Sequence, residues 1–576
     1  MVQAMRNLIA PLILMFAASA APPPAADLVI RGGVIYDGGG GAPYAGIVAT
    51  AGDRIVYVGR DRPFRAKAVI DAHGEAVAPG FVNMLSHVEE SALVDGRALS
   101  DLVQGVTLEV IGEESMGPLS PAMRRQVAER QSDLHYPVTW STLDGYFAAV
   151  ERHGIGPNLA SFVGHPTVRA AVLGEDDVQP TPAQLDRMRA LVDAAMADGA
   201  MGLTTALIYA PATYAKTPEL TALAIESARC GGLYSAHMRS EGDHIADAVA
   251  ETVAIARASG GPAHIYHLKL AGRDNWGKRD AVLAQINAAR AGGVRVTADM
   301  YTYAAAATGL DAAMPPWVQD GGLEKWIARL KDPATRARVL AEMAQAHPDG
   351  WENYILQAGG GSGVRLLAFK NPALKPLTGK TLAEVAAMRG TSVAATAIDL
   401  VAEDGSRVGV AYSLMSEDNV RRQLAEPFVA IDSDEGGLAP ESAFLKSSPH
   451  PRAYGSFARL FAKYVRDEHV MTTQEAVRRV TALPADILFL KDRGRLRAGN
   501  FADVVIFDPA TIQDHATFEA PHQLATGVTD VLVNGRFAVR DGVATGAPTG
   551  RIVRGRGWRG WPDGGCRRTA ADWPQA

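Results

Sequence analysis

The sequence predicts an α/β fold, a (β/α)8 TIM-like barrel accompanied by a small β-sandwich domain that is formed by both chain ends. Eight short apolar runs are each followed by a segment with helical periodicity, which is the number of strand–helix units in a closed barrel. Short strands punctuated by Gly occur near both termini, and neither group alone is large enough to bury a core. Residues 308–427, between runs seven and eight, are too many for a loop, so we expect an insertion there.

The expected domain bounds follow from these patterns in a chain of 576 residues. We expect a barrel at residues 78–490 with an insertion at about 310–425, sandwich parts at 27–77 and 491–556, and a tail at 557–576. The hydrophobic content of 47% and the charged content of 21% are those of an ordinary globular enzyme. A formal net charge of −6 offers no cationic surface for nucleic acid.

The N-terminal segment has the pattern of a secretory signal peptide, which we assign to residues 1–26. Arg6 precedes a short apolar stretch, which is followed by small residues and a Pro-rich segment at 22–24. The apolar stretch is too short for a comfortable membrane span, and no Cys follows it to carry a lipid. We therefore expect an exported protein, periplasmic or secreted, without a stable membrane anchor.

The chain has two cysteines, Cys230 and Cys566, and this number excludes a disulfide framework or a zinc ribbon. Cys230 precedes the fifth apolar run. We expect it to be a small buried hydrophobic residue rather than a nucleophile.

The eight runs of strand-like sequence are residues 78–85, 106–112, 158–165, 200–207, 232–238, 263–269, 294–301 and 428–434. Runs five and six have the same form, since each is entered from a Gly, reaches a His and has a basic residue two positions later. Two such neighbouring parallel strands would bring His237 and His267 together at one rim of the sheet. Either His alone would be read as a hydrogen-bonded core residue, but the pair indicates a metal site.

Residues suited to metal binding or catalysis stand at or just past the carboxyl ends of all eight runs. They are His87, Glu113, Glu114, His165, Tyr209, His237, His267, Tyr301 and Asp434. Catalytic groups of a (β/α)8 barrel lie at this end of the strands. The pattern therefore indicates a metal-dependent hydrolase.

With these residues in hand, the chain resembles the amidohydrolase superfamily and, within it, the N-acyl-D-amino-acid deacylases (D-aminoacylases). The resemblance extends over almost the whole mature chain. It is carried by Ala78-Pro-Gly-Phe-Val, Val163-Gly-His, Gly231-Gly-Leu-Tyr-Ser-Ala-His-Met-Arg-Ser-Glu-Gly-Asp, His267-Leu-Lys-Leu-Ala-Gly-Arg-Asp-Asn-Trp-Gly-Lys, Asp299-Met-Tyr-Thr-Tyr, Ile431-Asp-Ser-Asp, His450-Pro-Arg-Ala-Tyr-Gly and Gly499-Asn-Phe-Ala-Asp-Val-Val-Ile-Phe-Asp. Such proteins combine a (β/α)8 barrel with a β-sandwich, as expected above.

The chain departs from the usual pattern after the first strand. The superfamily has a His-x-His pair there, whereas Leu85 occupies the first of these positions and His87 the second, and Asn83 replaces the usual Asp. D-aminoacylases place a Cys ligand after the second strand, where this chain has Glu113 and Glu114. A carboxylate can replace that thiolate as a zinc ligand. We interpret the changes as features of a branch that lacks the His-x-His motif.

The resemblance implies one tightly held zinc ion per chain, bound by His237, His267 and either Glu113 or Glu114, with the choice between the glutamates left open. It makes Asp434 the general base, although an Asp after a strand can also cap the following helix. It assigns contacts with the substrate carboxylate to Lys269 and to His450 or Arg452, and a substrate contact to Tyr301. His165, Tyr209 and Arg239 are further candidates for carbonyl or acyl contacts, and His87 for a weak second-metal ligand or a supporting hydrogen bond.

The resulting hypothesis is zinc-dependent hydrolysis of N-acyl amino acids, of D configuration, to a carboxylate and a free amino acid. One alternative keeps the machinery and changes the substrate to peptides, cyclic amides or long-chain N-acyl amides. Another is a non-catalytic binding protein on a degenerate barrel. The expected partner is a small-molecule substrate, and a homo-oligomer is left open.

Overall fold

The computed structural model describes residues 23–562 and Cys566. Residues 1–22, which hold most of the expected signal peptide, and residues 563–565 and 567–576 of the expected tail lie outside this part.

The strands of the described chain are, in order, β1 (Ala25–Ile35), β2 (Tyr44–Ala51), β3 (Arg54–Gly59), β4 (Arg65–Asp71), β5 (Ala76–Pro79), β6 (Phe81–Asn83), β7 (Val106–Ile111), β8 (Asn158–Ser161), β9 (Val163–Gly164), β10 (Gly202–Ala206), β11 (Leu233–His237), β12 (Ala263–Ile265), β13 (Val296–Met300), β14 (Ala306–Gly309), β15 (Val364–Ala368), β16 (Gly409–Tyr412), β17 (Val429–Ile431), β18 (Val504–Phe507), β19 (Val528–Val533), β20 (Arg536–Arg540) and β21 (Val543–Ala544). The α-helices are Leu99–Leu102, Pro121–Arg130, Leu143–His153, His165–Leu173, Pro182–Asp198, Thr217–Arg229, Ile245–Ser259, Arg279–Ala291, Leu323–Lys331, Pro333–Met343, Tyr354–Gln357, Leu382–Arg389, Val393–Asp404, Glu417–Leu424, Arg452–Arg459, Thr473–Val480 and Ala482–Ile487.

Both chain ends form one continuous nine-stranded sheet, the end sheet. This sheet curls over on itself, because the start of β3 meets the segment before β18, where Ile55 N donates to Asn500 O at 2.9 Å. Its strand order is β21-β20-β19-β18-β5-β1-β2-β3, with β4 beside β1. The two ends join where β5 pairs antiparallel with β18, Ala76 opposite Phe507 and Pro79 opposite Val504. The long β1 bridges the sheet, because β4 pairs with its first half and β5 with its second half. The change from the end sheet to the parallel strands falls at Gly80.

The parallel strands form two sheets, β6-β7-β8 and β17-β13-β12-β11-β10-β9. β8 and β9 are two pieces of the third predicted run, 158–165, and only Phe162 separates them. Each of the eight predicted runs therefore contributes to the parallel strands. At the other edge, β6 and β17 approach each other through Met84 N, 3.5 Å from Ile431 O, and through Asp434 N, which donates to Leu85 O at 3.0 Å. The described strands thus lie around one core without a single closed hydrogen-bonded ladder.

Several strands end earlier than predicted. The run 263–269 gives a strand only at Ala263–Ile265, because the chain turns at His267, whose φ is 35°. Asp434, beyond the last strand, also has a left-handed φ of 50°. Backbone outliers of this kind are costly and concentrate at functional sites.

Helices between the strands carry clear terminal signals. The helix Pro182–Asp198 begins with a capping box between Thr181 and Gln184 and with Pro at its first position. It ends at Gly199, whose φ of 107° favours glycine. These signals fix the crossover that returns the chain to β10.

The region between β13 and β17 contains a small sheet and helices of its own, in the place where the sequence predicts an insertion. Its three antiparallel strands have the order β14-β16-β15, and the five helices from Leu323–Lys331 to Val393–Asp404 accompany them. β14 begins at Ala306, shortly after β13 ends at Met300, so the small sheet begins near the carboxyl end of the parallel strands.

The expectation that Cys230 is a free, buried hydrophobic residue is wrong. Cys230 forms a disulfide with Cys566, 336 positions later. The segment after the end sheet returns to the parallel strands, where Gly555 N donates to Gly199 O at 2.8 Å. This return brings Cys566 to the entrance of β11. Sequence spacing alone contains no signal for such a distant pairing.

No single helix within residues 23–562 has the length and hydropathy of a membrane span. One pair of helices bent by 91°, Leu382–Arg389 and Val393–Asp404, meets the length and composition criteria together.

Candidate metal centre

Two buried histidines meet at the carboxyl ends of neighbouring parallel strands. His237 is the last residue of β11, and His267 lies two residues beyond β12. The pairing of these strands sets Ala236 opposite Ile265. The two imidazole centroids are 4.5 Å apart with their planes at 82°. Sheet register and the turn at His267 therefore bring the two rings together, as predicted from the paired runs.

Glu113 completes a three-residue group with these histidines. It follows β7 through Gly112, where a Cβ atom would lie 2.5 Å from the carbonyl oxygen of Phe162 and φ is 112°. One donor atom each from Glu113, His237 and His267 lie within 4.8 Å of one another. Glu114 is not part of this group, and it is exposed. The structure therefore favours the first of the two glutamates.

The donor atoms of this group fit a bound cation. Glu113 Oε1 and His237 Nδ1 are 2.8 Å apart, yet both are buried without a hydrogen bond. Burying polar atoms without partners costs free energy. A cation bound between Glu113 Oε1 and His237 Nδ1 would satisfy both atoms, since two ligands of one ion face each other at such a short distance. Burial alone would raise the pKa of Glu113, but the close contact with His237 and the charges of His237, His267 and His87 outweigh burial and lower the pKa. One carboxylate and two imidazoles are a common ligand set for zinc, with a coordination position left for solvent or substrate.

A second potential ligand group shares Glu113 and adds His87 and Asp434, whose donor atoms also lie within 4.8 Å of one another. His87 Nε2 is 3.1 Å from Asp434 Oδ1 and 3.5 Å from Glu113 Oε2. Leu85, at the first position of the His-x-His motif, is fully buried and offers no ligand atom. His87 is thus a hydrogen-bond partner of Asp434, one of the two roles expected for it.

Asp434 lies between two cationic neighbours. Arg452 Nη1 is 2.7 Å from its Oδ2, opposite the contact with His87. Burial would raise the pKa of Asp434, but the charges of Arg452 and His267 and the hydrogen bond from His87 outweigh burial and hold this pKa well below its usual range. Its side chain is therefore an ionised carboxylate at neutral pH, as a general base requires.

Glu241 is a residue of the centre that the strand pattern missed. It lies four residues after His237, within the 231–243 motif, but on a loop whose path strand periodicity does not predict. Its Oε1 is 3.0 Å from His267 Nδ1 and 2.9 Å from Lys269 Nζ. Burial would raise its pKa, but the charges of Lys269 and the two histidines lower it below the usual range.

A cavity of about 420 Å³ opens over the two ligand groups. Four of the predicted substrate-binding residues line it: Tyr209, Lys269, His450 and Arg452. Tyr301 packs behind them, with its ring 4.6 Å from the Arg452 guanidinium and its buried hydroxyl without a hydrogen-bond partner.

His450 does not supply a positive charge to this cavity. Burial and the neighbouring charge of Arg452 hold its pKa well below the usual range, and its Nδ1 accepts a hydrogen bond from Arg452 N at 3.0 Å. Of the two residues considered for the second cationic contact, Arg452 is therefore the one that fits.

Besides Tyr301, two further predicted contact residues, His165 and Arg239, do not line the cavity. His165 is fully buried and lies 2.8 Å from Glu219, which also binds Arg169. Arg239 pairs with Glu251 at 3.0 Å and 3.1 Å. Both side chains are directed away from the centre by acidic partners from other elements, and the sequence gives no sign of these tertiary pairs.

A second cavity, of about 750 Å³, adjoins the first and shares His87, Glu114, Arg407 and Glu435 with it. Part of its wall is apolar: Met116, Leu119, Met123, Val127, Leu134 and Trp326. The centre therefore lies in the smaller cavity, together with Lys269 and Arg452, and the larger cavity with its apolar wall adjoins it as a second lobe.

Comparisons with known proteins show the family of the chain. A family model described as "Amidohydrolase family" matches residues 68–539. N-acyl-D-glutamate deacylase of Alcaligenes xylosoxydans xylosoxydans is 32% identical over 508 residues, covering 88% of this chain and 92% of that protein. D-aminoacylase of the same organism is 33% identical over 507 residues, covering 87% and 92%.

A solved structure is similar over nearly the same extent. The crystal structure of N-acyl-D-glutamate deacylase from Bordetella bronchiseptica, complexed with zinc and a phosphonate inhibitor that mimics the tetrahedral intermediate, gives a TM-score of 0.76. At 30% identity the similarity covers 92% of this chain and 100% of that one. The resemblance inferred from the motifs is confirmed, and the chain belongs to the amidohydrolase superfamily and, within it, to the D-aminoacylase family.

Proposed function

We propose that this protein hydrolyses the amide bond of N-acyl-D-amino acids, releasing a carboxylate and a free amino acid, with one zinc ion per chain. The observation that carries the proposal is the group Glu113, His237 and His267 beside the ionised Asp434, at the base of one cavity. The relatives named above include two deacylases of N-acyl-D-amino acids and a structure with bound zinc.

Glu113, His237 and His267 would hold the zinc. When bound in a site with three protein ligands, zinc supplies Lewis acidity and lowers the pKa of water. A single ion is proposed because Leu85 has no ligand atom and His87 Nε2 already lies at hydrogen-bond distance from Asp434. The chain would thus belong to a branch of the family that lacks the His-x-His motif and binds one ion.

Asp434 would accept a proton from the attacking water and return it to the leaving nitrogen. Two contacts orient its carboxylate, since His87 holds Oδ1 and Arg452 holds Oδ2. Both are cationic or hydrogen-bonding groups, so they stabilise the ionised form that takes up the proton.

Lys269 and Arg452 are the proposed contacts for the carboxylate of the amino acid. Both line the cavity, and both side chains are buried. Cationic groups with little access to water bind a carboxylate more strongly than exposed ones. Tyr209, whose ring lies 5.2 Å from that of His237, would border the scissile group.

The larger lobe favours a second candidate, a deacylase that prefers long acyl chains. A short acyl group would leave most of the 750 Å³ unfilled, whereas a longer chain could cover its apolar wall. The same machinery would serve both activities, so acyl length is the property that separates them.

Two further proposals concern the whole chain. The two parallel sheets would act as one (β/α)8 barrel, supported by the contacts between β6 and β17. Export to the periplasm or medium is supported by the N-terminal pattern and by the Cys230–Cys566 disulfide, since disulfides persist in oxidising compartments. The N-terminal residue of the mature protein, read by mass spectrometry, would test cleavage near residue 26.

The decisive experiment compares wild-type protein with Asp434→Asn on N-acyl-D- and N-acyl-L-amino acids whose acyl groups range from acetyl to octanoyl. Loss of a general base lowers kcat by about 100-fold or more. Zinc content measured by elemental analysis should stay at the wild-type value, because Asp434 is outside the three-residue group. Full activity of the variant would refute the assigned base, and failure of the zinc-loaded wild type to release amine from any substrate would refute the function.

A further inference from the structure

We infer that Glu241 is a positioning residue that holds the two histidines of the metal centre in their binding orientation, with support from the inserted region. The inference rests on the metal centre of the proposed function. It does not depend on which amide is hydrolysed.

Glu241 contacts both imidazoles on sides that Glu113 does not occupy. Its Oε1 lies 3.0 Å from Nδ1 of His267 and 3.8 Å from Nε2 of His237. Glu113, in contrast, faces the other nitrogen of His237, Nδ1. Glu241 thus lies at hydrogen-bond distance from one nitrogen of His267 and at the longer distance of an ion pair from one nitrogen of His237, and it leaves His237 Nδ1 and His267 Nε2 for the ion. A carboxylate on the second nitrogen of a ligating His fixes its tautomer and ring orientation.

Glu241 itself is poorly suited to bind the ion. The Lys269 ammonium lies 2.9 Å from the same Oε1 that faces the histidines. A cation at this distance competes with a metal ion for the carboxylate and also repels the metal ion. The carboxylate therefore acts on the centre through the imidazoles.

The inserted region fixes Glu241 from the other side. Tyr354 donates to Glu241 Oε2 at 3.2 Å. Glu352, two residues earlier, accepts hydrogen bonds from the backbone nitrogens of Gly242 at 3.0 Å and Asp243 at 2.9 Å. Ser240 also donates to this carboxylate. The loop that carries Glu241 is thus fastened on both sides of the residue by one short segment of the insertion.

The chain offers a matched control in Glu219. This residue is also a buried carboxylate that contacts a histidine, His165, and a basic side chain, Arg169. It lies outside both ligand groups. Replacing it removes the same chemistry from the fold without touching the metal centre.

The test measures zinc affinity in the full chain by competition with a chromophoric chelator, for wild type, Glu241→Gln and Glu219→Gln. The visible absorption of each protein loaded with cobalt(II) reports ligand geometry. Loss of an outer partner of a ligating His weakens metal binding by about 10- to 100-fold. We expect this loss and a changed cobalt spectrum for Glu241→Gln, and wild-type affinity and spectrum for Glu219→Gln.

The inference would be overturned if Glu241→Gln bound zinc within about threefold of the wild-type affinity and had an unchanged cobalt spectrum. An equal loss in Glu219→Gln would overturn it too, because the effect would then be general destabilisation. If Glu241→Gln does not fold, Tyr354→Phe decides, since it releases only Oε2: weaker zinc binding supports the role and wild-type binding refutes it. A wild type that binds zinc but deacylates nothing would refute the proposed function alone.

Discussion

Replacing Glu352 with Gln should stabilise the protein at neutral and basic pH but not at acid pH. Glu352 is buried, and burial raises the pKa of its carboxyl from 4.5 to about 7. Its Oε1 accepts the loop hydrogen bonds, while its Oε2 is buried without a partner. The buried site therefore favours the protonated, neutral form of the Glu352 carboxyl group. The amide of Gln has the same size and stays neutral at every pH.

The sign and size of the effect follow from the two pKa values. Between pH 4.5 and about 7 the unfolded chain has released this proton and the folded chain has not, so the stability of the wild type falls as the pH rises through that window. The difference in pKa corresponds to about 3 kcal/mol of unfolding free energy. Glu352→Gln lacks this loss, so its advantage over wild type should grow by about 3 kcal/mol from pH 4.5 to pH 8.

The assay is urea unfolding followed by Trp fluorescence, for both proteins, at several pH values across the window. Glu219→Gln serves as a control of opposite sign. Burial would raise the pKa of Glu219, but His165 and Arg169 lower it, so its contribution to stability is present above the unfolded pKa and lost as the pH falls through the folded one. Stability curves of wild type and Glu352→Gln that stay parallel from pH 4.5 to pH 8 would refute the reasoning.

Two further predictions concern the larger cavity and the disulfide. Met123→Trp adds bulk to the apolar wall of the larger lobe, and we expect kcat/KM for an octanoyl substrate to fall at least about tenfold more than for the acetyl one; equal losses would contradict the acyl-chain assignment. Replacing both Cys230 and Cys566 with Ser should destabilise the oxidised protein by about 2–4 kcal/mol while matching reduced wild type, as measured by thermal unfolding with and without reductant; no difference between the oxidised proteins would contradict a structural disulfide.

The positions of the central residues could be predicted from sequence because strand ends dictate them. His237, His267 and Asp434 follow buried parallel runs, and parallel strands bring such positions to one edge. The choice between Glu113 and Glu114 depends on the turn at Gly112, and run length alone does not define a turn. Patterns of apolar residues therefore locate a site more readily than they select its ligand atoms.

Residues whose role depends on distant partners could not be predicted. His165 and Arg239 stand at strand ends like the others, but they pair with Glu219 and Glu251 and do not line the cavity of the metal centre. Glu241 was missed for the converse reason, since its importance comes from Lys269 and from Tyr354 in the insertion. The same limit applies to the end sheet, because the strands that join its two halves are more than four hundred residues apart in the sequence.

This joining of the two ends sets an order of assembly during protein synthesis. While the ribosome makes the central strands, β5 can pair with β1 but lacks its other partner, β18, so the edge of Ala76–Pro79 that faces β18 keeps its backbone groups unpaired. The end sheet can close only after Val504–Phe507 has been made. A nascent chain of this protein thus carries an open strand edge for most of its translation, and a product truncated before residue 504 would keep that edge for strand pairing with other chains.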